Sequence, residues 1–109
     1  MNNINKVLPI KDYNDIACGI RGHFEGNQYV QVVNYVCKGG SKDELKEIGN
    51  GFDSIKEYLG VNKGVDALFE KANYEESNYW YETDNFYYWA RIIPRIGDYN
   101  LYVKAYRKE

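Results

Sequence analysis

Two β-prone runs, Ile16 to Phe24 and Tyr29 to Cys37, are separated by Glu25-Gly26-Asn27-Gln28. Glycine at the first central position suits a type II′ turn, so the pair is predicted to be a β-hairpin. With Gly26 and Asn27 as a two-residue loop, the register sets Phe24 against Tyr29, Ile20 against Val33, Cys18 against Tyr35 and Ile16 against Cys37. One face is then almost wholly apolar. The other carries Arg21, His23, Val30, Val32 and Asn34. Pro9 closes a short lead-in, and Asp12 to Asp15 form a turn before the first strand.

The period then lengthens. Lys38-Gly39-Gly40 ends the hairpin, and Ser41 with Glu44 three residues on has the spacing of a capping box. Leu45, Ile48, Phe52, Ile55 and Leu59 keep one apolar stripe, which predicts an amphipathic helix. Gly49 and Gly51 interrupt it, each costing about 1 kcal/mol against alanine, so a kink or break is expected there. Gly60 stops the helix. Asn62 is positioned to cap a shorter one, whose Val61, Val65, Leu68, Phe69 and Ala72 share a face.

After Asn73 the pattern shortens toward two. Asn78 to Glu82, Phe86 to Arg95 and Tyr99 to Arg107 are predicted to be three strands of a meander, with turns at Thr83-Asp84-Asn85 and around Gly97-Asp98. Pro94 belongs near a strand end or on an edge. The order hairpin, helices, meander is that of an α+β fold: an antiparallel sheet with two central helices packed on one face. No repeat or linker divides the chain, so residues 1–109 are expected to form a single domain.

Composition changes the picture in one respect. The chain has 44% hydrophobic and 28% charged residues, ordinary values, but 17% are aromatic, including 12 Tyr. Tyrosine joins a large apolar body to a polar tip and suits either a β-rich core or a binding surface. Charge is uneven within a net −2: residues 1–40 carry four basic and three acidic side chains, 41–85 five and eleven, 86–109 five and two. Partial neutralisation between the acidic middle and the basic end is expected. The first residues lack a long apolar run, so neither a leader nor a membrane segment is expected, and a cytoplasmic setting follows. In such a setting Cys18 and Cys37 are expected as free thiols in the core.

Chemistry concentrates in the last strands. With Gly97 and Asp98 as the loop, Ile92 faces Val103 and Ala90 faces Ala105, small enough to let a helix approach. The opposite face then sets Trp89 against Tyr106, Ile93 against Tyr102, and Arg91 against Lys104. Two cations side by side call for an anion. Glu75, Glu76 or Glu82 would supply one internally; a ligand phosphate is the other source. Enzyme readings rest on isolated residues. His23 is the only histidine, which excludes a histidine-rich metal site, and no cofactor motif is present. Gly39-Gly40 is the one place where amides at a helix start would hold an anion.

The expected function is therefore non-catalytic binding. Trp80, Trp89, Arg91, Tyr102, Lys104 and Tyr106 form the proposed contact surface for a protein partner. Glu75, Glu76, Glu82 and Asp84 are acidic contacts able to replace phosphates in a basic groove. An inhibitor, in the form of an anti-defence or accessory protein of a phage or mobile element, is one concrete version. The alternative is a nucleotide or single-stranded nucleic-acid binder, with the rings stacking on bases and Arg91, Lys104 and Arg107 on phosphate. The same aromatic face would also serve a homodimer.

Overall fold

A computed structural model describes residues 16–35, 40–73 and 76–108. In chain order the elements are β1 (Ile16–Glu25), β2 (Gln28–Tyr35), α1 (Lys42–Leu59), a 3₁₀ turn (Val61–Lys63), α2 (Val65–Ala72), β3 (Ser77–Glu82), β4 (Phe86–Arg95) and β5 (Asp98–Arg107). The strands form one five-stranded antiparallel sheet in the order β2-β1-β5-β4-β3. The α+β architecture is thus a hairpin and a meander joined through β1 and β5. Pro9, the Asp12–Asp15 turn, Cys37, Lys38-Gly39 and Glu75 lie outside the described residues.

Strict alternation in β4 and β5 sends Phe86, Tyr88, Ala90, Ile92, Tyr99, Leu101, Val103 and Ala105 to the helix-covered face, all essentially buried. Ile20 and Phe24 of β1 and Tyr79 of β3 extend that face. Ile48, Phe52, Ile55, Leu59 and Leu68 come down on it from the helices. Burial of this many apolar side chains is the main stabilising term, at about 25 cal/mol per Å² of apolar surface removed from water.

Helix α1 runs unbroken through Gly49 and Gly51, so the expected kink is absent. The reason lies across the interface. A Cβ on Gly51 would stand 2.1 Å from Tyr88 Cζ, whereas one on Gly49 would meet nothing. Gly51 is the groove into which the Tyr88 ring fits, and the Tyr88 hydroxyl donates to the Glu47 carbonyl at 3.2 Å. Helix α2 also departs from expectation. Asn62 lies in the 3₁₀ turn, Gly64 is the N-cap without a side-chain bond, and the Val65 amide donates to Asn27 Oδ1 at 2.9 Å. The β1–β2 turn therefore caps α2 from a distance of 38 residues in sequence.

Two registers differ from the expected ones. Gly26 has φ +61 and Phe24 does pair with Tyr29, but β2 carries an extra residue beyond Gln31. Gly22 pairs with Gln31 and Arg21 with Val33, leaving Val32 as a bulge, so Ile20 pairs with Asn34 and Gly19 with Tyr35. In the last hairpin the loop is Ile96-Gly97, with Gly97 at φ +74 and Arg95 paired to Asp98. Ala90 thus pairs with Val103, Ile92 with Leu101 and Ile93 with Asn100. This slip of two positions keeps every side chain on its expected face while changing all its partners.

Cys18 is held in a disulfide, which overturns the free thiol expected there. That expectation ran from a cytoplasmic setting, whereas disulfides persist in oxidising ones. Among the described residues no helix is long and apolar enough to cross a membrane.

Candidate functional site

The helix-free face of the sheet gathers the outward positions of four strands. Register builds it as rows. One row runs Trp80, Trp89, Lys104, Gly19; the next runs Asn78, Arg91, Tyr102, Arg21; a third brings Ile93, Asn100 and His23 into line. Above them Glu82, Tyr87 and Tyr106 stand abreast. All six sequence-predicted contact residues, Trp80, Trp89, Arg91, Tyr102, Lys104 and Tyr106, are therefore on one face.

Their orientations are fixed by neighbours. Trp89 Nε1 donates to Asn78 Oδ1 at 3.0 Å, which sets the indole plane. The Lys104 ammonium lies 5.4 Å from the centre of that ring, within cation–π range. Trp80 stacks over Tyr106 with centroids 6.4 Å apart and planes at 27°. Tyr106 is only 9% exposed, so it is a floor beneath Trp80 rather than a contact in its own right. Burial pushes its phenol pKa upward.

Arg91 and Lys104 are not directly opposite, a second consequence of the shifted register. Arg91 faces Tyr102, and Lys104 faces Trp89. Arg91 gives two hydrogen bonds to Glu76 Oε1, at 2.9 and 2.5 Å. Its anion is thus a carboxylate of the acidic middle segment. Lys108 pairs with Glu82 in the same way and lies 4.8 Å from the Tyr87 ring centre. Asp84 is exposed at the β3–β4 tip, away from the rows. Two of the acidic contact candidates therefore neutralise the chain's own basic end.

A residue outside that set joins the face. Arg21 pairs with Tyr102 from the β1 side and is exposed. Its outward position was legible in the first hairpin; its place beside the meander was not, because that depends on β1 meeting β5.

A second concavity, about 490 Å³, lies between the start of α1, the β3–β4 tip and the end of β5. Ser41 Oγ accepts the Glu44 amide at 3.1 Å, while the Glu44 carboxylate takes Arg107 at 2.8 Å. Hydrogen bonding from Arg107 holds the Glu44 carboxyl below its ordinary pKa. Asn85 donates to Glu47 at 3.0 Å. A Cβ on Gly40 would stand 2.5 Å from Glu44 Oε1, so at Gly40 the chain's own carboxylate already stands close to the backbone. Arg107 thus faces α1 and is removed from the phosphate-binding set. His23 makes a 3.4 Å contact with Glu25. Among the described residues no cluster of three or more His, Cys, Asp or Glu could hold a metal ion.

Comparison of this chain with family models, with curated proteins and with solved structures gives no match.

Proposed function

We propose that this is a binding protein that recognises a protein partner through the helix-free face of its sheet. The observation that carries the reading is the convergence of Trp80, Trp89, Arg91, Tyr102 and Lys104 from three strands onto one face, with the rings already held by Asn78, Lys104 and Tyr106. Tryptophan, tyrosine and arginine dominate interface energetics, and rings fixed before binding lose little entropy on contact. The internal pairing of Arg91 with Glu76 favours a protein over a nucleic acid, because it sets a carboxylate on the face where a phosphate chain would run.

A photo-crosslinking residue at Ile93 on this face, with one at Glu57 on the exposed side of α1 as control, tests it in cells of the source. The expected result is a defined protein cross-linked from position 93 alone. Capture should fall by at least about 2 kcal/mol in binding free energy in the Trp80→Ala, Trp89→Ala double variant. Equal cross-linking from both positions, or capture indifferent to the loss of both tryptophans, overturns the reading. Steeply salt-dependent cross-linking to nucleic acid instead of protein would replace it.

A further inference from the structure

We infer that Arg21 and Lys104 form an anion-binding pair on this face that takes the side-chain carboxylates of an acidic segment in a protein partner. The inference rests on the reading above and names what that surface recognises. Arg21 pairs with Tyr102, and Lys104 stands two residues further along β5. The two cations are diagonal neighbours, about 7–8 Å apart at the backbone. Gly19, which has no side chain to cover Lys104, and Tyr102 hold the other two corners of this square of backbone positions.

The other arginines and lysines near this face have polar partners: Arg91 has Glu76, Lys108 has Glu82, and Arg95 donates to Asn100 Oδ1 at 3.2 Å. Among the described residues Arg21 and Lys104 have no carboxylate. Neighbouring like charges on a sheet repel, and an incoming carboxylate removes that repulsion while gaining two charge-assisted contacts. Trp89 and Tyr102 supply the apolar walls beside it.

The surroundings select the occupant. Glu76 and Glu82 border the face along β3, and Glu25 and Asp98 border it at the hairpin ends. A phosphodiester chain leaving the pair in these directions would pass a carboxylate, whereas a short acidic segment can place one or two charges inside this rim. A second copy of the chain fits poorly. Packing the face on itself with the two-fold axis through the pair brings the same two cations together.

Titration of the full chain with poly-glutamate, with poly-glutamine and with single-stranded oligothymidylate, followed by the indole resonance of Trp89 and the guanidinium resonance of Arg21, tests the pair. Poly-glutamate should shift both resonances, and poly-glutamine neither. Arg21→Gln with Lys104→Gln should weaken poly-glutamate binding about tenfold or more, Arg21→Lys should restore part of it, and Arg95→Gln should leave it unchanged. Binding of oligothymidylate without poly-glutamate, binding of neither, or poly-glutamate binding indifferent to both substitutions overturns the inference. Failure here is separable from failure of the broader reading. A partner still cross-linked from Ile93 with full yield in the Arg21→Gln, Lys104→Gln variant would leave protein recognition standing and remove the acidic segment. Absence of any partner cross-linked from that face removes the recognition itself.

Discussion

Gly51 and Gly49 lie two residues apart in α1, and opposite outcomes are expected on substitution. At Gly49 the added methyl meets nothing, so Gly49→Ala should stabilise by up to about 1 kcal/mol through helix propensity alone. At Gly51 it collides with the fully buried Tyr88 ring. Overpacking of about 1–3 kcal/mol should outweigh the propensity gain, lowering the midpoint of urea unfolding, and an unchanged or raised midpoint would mean that the ring moves aside freely. Burial sets the titration of the tyrosines as well. It raises the phenol pKa of Tyr29 to about 12 and lifts those of Tyr79, Tyr88 and Tyr106. These phenols hold their protons more tightly folded than unfolded. Their contribution to stability is therefore complete below pH 10, the ordinary value, and is lost as pH rises through the folded pKa, near 12 for Tyr29. Absorbance at the phenolate band should show these residues ionising late and together with unfolding. Early ionisation in a folded chain would contradict their burial. The sequence marked the tyrosines as unusual but could not sort core from surface, since ring burial depends on which face each strand turns to the helices.

At the scale of elements, strand and helix positions were readable because each has its own hydrophobic period. Their terminal partners were not. Ser41 was recognisable as a cap because its bond closes within three residues. Asn27, which caps α2 from the hairpin turn, was not, since nothing local links it to Val65. Asn27→Ala should cost about 1 kcal/mol, typical of a lost helix cap, and should raise hydrogen exchange in the first turn of α2 more than in α1. Uniform protection in α2 after the change would show that water replaces the cap without loss. The hairpins follow the same rule. Gly26 and Gly97 located both turns, yet the bulge at Val32 and the Ile96-Gly97 loop altered the partners. A single extra residue has little effect on a local pattern, but it changes every pairing beyond it.

For the whole molecule, joining the two hairpins through β1 and β5 makes the face argued for above. It places Arg21 beside Tyr102 and leaves Arg91 to Glu76. The disulfide at Cys18 belongs to this scale too. Unreduced protein treated with a thiol reagent under native conditions should leave Cys18 unmodified, and modification should appear after reduction. Labelling of Cys18 without reduction would restore the free thiol expected from a cytoplasmic setting. The sequence by itself determined the strands, the helices, the α+β order and which residues within each strand of the meander share a side. Those properties depend on alternation and periodicity within short stretches. Tertiary structure alone decided which strands became neighbours, which carboxylate met which cation and which cations share a face. Each of those outcomes depends on residues far apart in the chain meeting at one register among several that preserve the same local pattern.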